Sequence, residues 1–346
     1  MTKRTKHTQP TPRESAVAAS WFAGIDVSCA ELVLVVREAG RSGAAQRFEN
    51  TPAGHARLIK CLAKYRGTGI VCLEATGVCS LDLALALADA GFALMVVNPK
   101  AAHHFAKALG RRSKSDGLDA DMLAHYAERM PYVAWQRPSA EALDLRAYAR
   151  RLQALTEDKA RAKNQLHALK ACAQVPQALL ADVKLSIRQI EQRLARLRAA
   201  AVALIGAEAQ LKARYRLLLS VKGIGSLSAI ALLGELMLLP LALSNKQWVK
   251  HAGLDPRLFD SGSSVHKPAR LSKSGNRYIR RALYMPALSA TRHDPHVRAY
   301  YQHLLAAGKK KMQGICAVMR KLLHALHGML THHQPWDNTR FYAIPA

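Results

Sequence analysis

Acidic side chains are scarce in this sequence. Its 346 residues hold 24 Asp and Glu against 51 Lys and Arg, a formal net charge of +27, and aromatic residues make up only 6%. A small-molecule enzyme has little use for such a surplus; it fits a polyanionic partner, nucleic acid first. No apolar run approaches the roughly 18 residues of a membrane span. No apolar stretch follows the basic opening MTKRTKHTQPTPRES, so neither a membrane anchor nor a secretory leader is expected. None of the six cysteines (Cys29, Cys61, Cys72, Cys79, Cys172, Cys316) forms a CxxC pair, and no His lies at zinc-finger spacing from two of them. They read as small, reduced, buried thiols of a cytoplasmic protein. The adjacent pairs His103–His104 and His332–His333 point in different directions on a helix, which argues against metal sites there.

Half of the residues are hydrophobic, so the chain folds, and its length suits two or three domains at roughly 100–200 residues each. Over residues 18–135, short apolar runs alternate with helical stretches. WFAGIDV, ELVLVVREAG and AAQRFEN read as a three-strand meander; HARLIKCLAKY, GIVCLEATG, LDLALALADA and FALMVVN then alternate helix and strand. This predicts a mixed sheet with helices on its faces. Residues 140–213 lose the strand signal. Val183, Ile187, Ile190, Leu194 and Leu197 follow a heptad seam, Leu145, Tyr148, Leu152 and Leu155 begin a matching stripe, and Pro176 marks the turn of a helical coiled-coil hairpin. Residues 214–333 read as a mainly helical third domain. Its SVKGIG segment has the form of a helix-hairpin-helix, with Lys222, Gly223 and Gly225 as phosphate contacts. The segment from Asp255 to Asn276 reads as a basic loop, and the tail after Pro335 as peripheral.

Carboxylates are the candidates for chemistry. Asp26 lies inside an apolar strand and Glu74 closes another, positions where an acid is costly to bury unless a cation meets it. Asp116 and Asp119 lie three apart and share a helix face, whereas Asp121 points off it; Asp82, Asp89 and Glu31 read as ordinary surface charges. Four gathered carboxylates repel one another and are tolerable when divalent cations neutralise them, which suits two-metal phosphoryl transfer. The alternative jobs, a solvated charge for Asp119 and an N-cap for Asp116, stay open. A second candidate site holds Ser261, Ser263 and Ser264 among Arg257, His266, Lys267, Arg270, Lys273, Arg277, Arg280 and Arg281. A serine needs a base or metal, and cations beside it, to attack phosphorus; the alternative is a Gly/Ser turn that only grips phosphate.

An Asp on the first strand of a meander, a Glu ending the fourth strand and paired Asp on a later helix resemble the ribonuclease H-like arrangement, and its RuvC variant in particular. The ordered blocks GIDVS, CLEATG, VVNPK, SKSDGLDADMLA, SVKGIG, HAGLDP, DSGSSV, SKSGN and RRALYMPA resemble the insertion-sequence 110 family of transposases, DEDD recombinases of the Piv/MooV type. The resemblance runs from about residue 20 to about 333. It implies an α/β RuvC-like domain, a helical hairpin and a C-terminal transposase domain. It further implies a tetrad of Asp26, Glu74, Asp116 and Asp119 binding Mg²⁺, with Mn²⁺ as a substitute, and a nucleophilic Ser261 that bonds covalently to DNA. Donor and target DNA, a structured guide RNA and further copies of the chain are the implied partners. Two other readings stay open: a RuvC-like junction resolvase that uses water, and a non-catalytic nucleic-acid scaffold.

Overall fold

The computed structural model describes residues 19–75, 77, 79–110, 115–240, 243–261 and 265–344; within 258–268 only the backbone is described. The chain divides into two units, Met1–Arg137 and Pro138–Ala346. Among the described residues, no helix is long and apolar enough to cross a membrane.

The first unit runs β1 (Trp21–Val27), β2 (Glu31–Glu38), β3 (Arg41–Ser42), β4 (Gln46–Glu49), α1 (Pro52–Leu62), β5 (Gly69–Glu74), α2 (Leu81–Asp89), β6 (Ala93–Val97), α3 (Pro99–Ala108) and α4 (Asp116–Arg129). The sheet order is β3-β2-β1-β5-β6, with β4 also on β2. β1 pairs antiparallel with β2 and parallel with β5, so the meander and the alternating part share β1 as their seam. Residues alternate between two faces, as strand geometry requires. Ile25, Leu32, Leu34 and Leu73 meet Leu58 and Leu62 of α1 and Leu83 and Leu87 of α2 on one face. Ile70, Cys72 and Met95 meet Ala102 of α3 and Met122, Leu123 and Ala127 of α4 on the other. The VVNPK block has a local cause: Asn98 caps α3, accepting from Lys100 N, and Pro99 opens the helix.

Two features fix α4 on the sheet. A Cβ on Gly24 would stand 1.9 Å from the Ala120 carbonyl oxygen and 2.3 Å from the Ala124 nitrogen, so the helix backbone lies directly on β1. Arg37 of β2 is only 6% exposed, and its guanidinium donates to Glu128 Oε2 at 3.1 Å and to the Gly40 carbonyl at 2.9 Å. It also reaches Ser42 and Asp121, which bond to each other.

The second unit runs α5 (Ala140–Ala171), α6 (Gln177–Ala207), α7 (Ala209–Ser220), α8 (Ser226–Leu236), α9 (Asn245–Ala252), β7 (Pro256–Ser261), β8 (Val265–Leu271), α10 (Arg277–His293), α11 (Pro295–Ala306) and α12 (Lys311–His332). Val183, Ile187 and Ile190 of α6 and Leu145, Leu152 and Leu155 of α5 are buried. Lys159 meets Glu191 at 2.8 Å across the two helices, which run antiparallel about the turn before Pro176. The hairpin joins the same core as the helices that follow it: Leu145 and Leu152 of α5 cluster with Leu232 and Leu233 of α8, Leu283 of α10 and Leu322 of α12.

Three expectations need correction. Cys29 and Cys79 form a disulfide, with Cα atoms 5.0 Å apart. Parallel pairing of β1 and β5 brings the loops after those strands together, a contact that a search for local Cys spacing does not see. Of the four free thiols only Cys72 is buried; Cys61 and Cys316 are intermediate and Cys172 is exposed. The basic loop is a two-stranded hairpin, β7 against β8, whose many charges hide its strand pattern. The tail is docked: Phe341 is 3% exposed, and Trp336 Nε1 donates to the fully buried Asp294 at 3.1 Å.

Gly24→Ala should therefore destabilise the first unit by about 3 kcal/mol, because the new methyl meets backbone that has no room to retreat. A thermal melt would show the loss; an unchanged midpoint would mean that α4 lifts from β1 freely.

Candidate functional site

The register of β1 and β5 puts two acids side by side. Ile25 partners Leu73, so one step further Asp26 stands beside Glu74 at the carboxyl ends of parallel strands. Alternation turns both toward α4, on the face that carries Gly24 and Cys72, and both are half-buried. The N-terminus of α4 lies over this end of the sheet, because Phe22 clusters with Ala127 and Gly24 abuts Ala120. Asp116, one turn ahead of Ala120, and Asp119 beside it thus belong to the same edge. Asp116 is exposed and Asp119 half-buried. Ser115 caps α4 by accepting from Leu118 N, and both acids sit in the first turn, where they also complement the helix dipole.

The same row of the sheet carries a cation. Val33 of β2 partners Asp26, and Arg47 of β4 partners Val33. Arg47 Nη1 lies 3.8 Å from Asp116 Oδ2 and also pairs with Glu31. All three side chains are exposed, and such pairs contribute at most about 1 kcal/mol. Sequence reasoning passed over Arg47 and treated Glu31 as incidental; the alternation of QRFE against ELVLVV was the signal that would have placed Arg47 in the Asp26 row. Asp121, by contrast, is occupied by Ser42 and Arg37.

The donors on this edge are carboxylate oxygens, the type that hard divalent cations take. Asp26 and Glu74 fit such an ion by donor type and register. Asp116 meets Arg47 through one oxygen at 3.8 Å, and among the described residues no three His, Cys, Asp or Glu side chains stand close enough together to hold one metal ion. A tetrad site would need the carboxylates to draw closer around the ion.

The loops beyond Asp26 and Glu74 are tied twice. One tie is the Cys29–Cys79 bond. The other is Asn50, whose amide nitrogen donates to the Ser28 carbonyl at 2.7 Å and the Cys79 carbonyl at 3.0 Å. Its Oδ1 meets His55 Nε2 at 2.7 Å, so a neutral His55 with its proton on Nε2 completes the set. Burial pulls the His55 pKa down, opposed by Asp82.

In the second unit, Ser261 ends β7 opposite Val265, while Ser263 and Ser264 lie outside the described residues, as do the side chains of Ser261, His266 and Lys267. Arg257 and Arg270 are direct cross-strand partners. Like charges placed so are unfavourable unless an anion meets them. The SKSGN block is a clamp. Ser272 Oγ donates to Asp255 at 2.5 Å, and Asn276 caps α10 by accepting from Tyr278 N and Ile279 N. A Cβ on Gly275 (φ +154°) would meet the His251 carbonyl at 2.1 Å.

The predicted phosphate contacts divide into two groups. Arg280 donates to the Ala252 and Gly275 carbonyls at 2.8 and 3.3 Å, Arg281 pairs with Glu157 at 2.6 Å, and Arg277 lies over the Tyr278 ring. Gly223 (φ +103°) packs on α10, where a Cβ would stand 2.7 Å from the Pro286 carbonyl, a job that needs no phosphate. Arg270 and Lys273 line a cleft, and Lys222 and Gly225 are exposed.

A mixed sheet edged with carboxylates, followed by a basic helical unit, is the make-up of an enzyme that works on nucleic-acid phosphodiesters. Comparison with known proteins narrows the class. Residues 23–170 match the DEDD transposase model of the IS110 elements, and residues 215–302 match the transposase IS116/IS110/IS902 family. Two curated relatives, the pilin gene-inverting proteins of Moraxella bovis and Moraxella lacunata, are each 32% identical over 270 residues, 77% of this chain and 81% of their own. A solved structure, Thermus thermophilus RuvC in complex with Holliday junction substrate, aligns at 18% identity and a TM-score of 0.24 over 31% of this chain and 94% of that one. The chain belongs to the IS116/IS110/IS902 family of transposases, enzymes that recombine DNA.

His55, His251 and His324 all have pKa values lowered first by burial. Below the unfolded value of about 6.5 the unfolded chain binds more protons than the native one. Stability should therefore be full above that pH and decline as pH falls through the lower native values. Melting midpoints taken from neutral pH downward should show the decline, and His55→Gln should shed part of it. A midpoint independent of pH in this window would mean that these rings are solvated. Asn50→Ala, which leaves the Ser28 and Cys79 carbonyls without their partner, should cost about 1–3 kcal/mol in the same assay.

Proposed function

We propose that this transposase mobilises its own insertion sequence by transesterification, with Ser261 as nucleophile and Asp26, Glu74, Asp116 and Asp119 as the ligands of Mg²⁺. The observation that carries the reading is the register that sets Asp26 beside Glu74 under the acidic first turn of α4. A second support is the Arg257–Arg270 cross-strand pair on the hairpin that ends in Ser261, a placement that suits a phosphate between them.

Divalent ions held at the carboxylate edge would supply positive charge that polarises phosphodiester oxygens. The serine Oγ loses its proton and bonds to phosphorus; the scissile P–O bond breaks, and the departing 3′ oxygen is protonated in turn. The covalent serine–DNA ester keeps the phosphodiester energy, so a second strand can attack it and rejoin without a cofactor that supplies energy. Recombination joins two duplexes, and the reading includes more than one copy of the chain. An element-encoded RNA is proposed as the guide that pairs with donor and target DNA; the basic surface suits its backbone.

A denaturing gel of the reaction on labelled donor DNA tests this. The parent protein should leave a protein–DNA adduct, and Ser261→Ala should lose it while still binding DNA. Asp26→Asn and Glu74→Gln should remove the adduct and strand exchange together, with the melting midpoint preserved. An adduct that persists without Ser261, or active parent protein that forms none, would make water the nucleophile and favour the resolvase reading. DNA binding should also weaken with salt at a log–log slope of about −0.9 per phosphate neutralised.

A further inference from the structure

A cleft of about 880 Å³ opens in the second unit between β8, α11 and α12. Its walls combine two kinds of surface. Arg270, Lys273, Lys309 and Arg320 bring positive charge, and among the described residues no Asp or Glu lines it. Tyr300, Leu304 and Met312 give an apolar wall, Met312 with 57% of its surface exposed.

The cations are held in place at some conformational cost. Lys273 has φ +50°, a left-handed backbone for a residue with a side chain. Its N–H donates to the Gly253 carbonyl at 3.1 Å, and Gly253 is itself left-handed, with no room for a Cβ beside Lys273 and Ser274. Lys321 fixes the aromatic side of the cleft: its ammonium lies 4.3 Å from the Tyr300 ring centre and 5.1 Å from that of Phe341, the residue that docks the tail. His324, also on the wall, has its pKa lowered by burial first and then by Arg320, His327 and Lys246.

Charge alone would suit the outside of a duplex, but a duplex offers only phosphates and groove edges to a protein, and its stacked bases cannot reach an apolar wall. A volume in the range of small-ligand pockets, roughly 300–1,000 Å³, likewise fits one or two nucleotides and not a helix. We propose that the cleft receives an unpaired nucleotide of the bound DNA, with its phosphates on Arg270, Lys273, Lys309 and Arg320 and its base against Tyr300, Leu304 and Met312. The cleft floor, Ala269–Leu271 with Pro256, is the base of the hairpin that ends in Ser261. Five strand steps separate Pro256 from Ser261, about 16 Å at 3.3 Å each, so the cleft would hold a strand near the end of that hairpin. The inference rests on DNA as the partner, and not on Ser261 or the carboxylates.

The test uses the full chain and needs no turnover. A short single-stranded DNA carrying one 5-iodouracil is bound and irradiated, and the crosslinked peptide is mapped. Crosslinks at Tyr300 or Met312 are expected; crosslinks confined to other segments would overturn the proposal. Lys309→Gln with Arg320→Gln, both at exposed positions, should weaken single-stranded DNA binding by about fivefold or more and duplex binding by less than about twofold. Equal losses on both would reduce the cleft to general charge, and an RNA strand that takes the crosslink in place of DNA would likewise overturn it. If Ser261→Ala abolishes strand exchange or leaves it intact, these binding readouts stand unaffected, so the two readings fail separately.

Discussion

A missing side chain organises the first unit. Because Gly24 has no Cβ, the backbone of α4 lies on β1, and every carboxylate of the candidate tetrad takes its place from that contact. Asp26 is two residues along the same face of β1, Glu74 is beside it by register, and Asp116 and Asp119 overhang them from the first turn of the helix. Arg37 keeps α4 from sliding: it grips Glu128 and Asp121 on the helix and the Gly40 carbonyl at the turn after β2. The two contacts divide the labour, one setting how close the helix sits and the other its register along the strand.

The second unit depends on a buried charge in the same way. Glu235 of α8 is 4% exposed and receives Arg150 of α5 at 2.7 and 3.2 Å and the Asn276 amide at 2.7 Å. Breaking such a pair strands a charge in the core at a cost of several kcal/mol, so Glu235 and its two partners are bound to one geometry. Arg150 also lies 4.3 Å over the Tyr278 ring, and Asn276 caps α10 with its other end. One carboxylate thus links the long hairpin helix, the end of α8 and the clamp loop that carries Lys273.

Much of this was legible in the sequence, because short-range periodicity is a local rule. The alternation in WFAGIDV and GIVCLE placed Asp26 and Glu74 on strands, and the heptad of Val183, Ile187 and Ile190 matched the α5–α6 seam. What the sequence hid depends on long-range pairing. The Cys29–Cys79 bond spans 50 residues and exists because β1 and β5 are neighbours. Arg47 reaches the Asp116 edge only through β4 pairing on β2, and Phe341 is core only because α11 and α12 leave a slot for it. The β7–β8 hairpin escaped notice because charged residues occupy positions where strand patterns are sought among apolar ones.

Where the few acids go shapes how the surplus of positive charge is displayed. Glu235 and Asp294 are buried, Glu128 and Asp121 are largely covered by Arg37, and Asp116 and Asp119 open α4, so much of the scarce negative charge is committed to holding the fold or edging the candidate site. Cations are treated unequally too. Arg37, Arg150 and Arg280 are tied to carboxylates or backbone carbonyls, and each such tie removes a positive group from the surface. The hairpin and the cleft group theirs, Arg257 beside Arg270 across the strands and Lys273, Lys309 and Arg320 around one opening, with no carboxylate on its wall among the described residues. Grouped like charges cost stability in the free protein and return it when an anion arrives. On the proposed reading, a phosphate backbone would meet the grouped cations of the hairpin and the cleft, whereas Glu235 and Arg150 already balance each other within the fold.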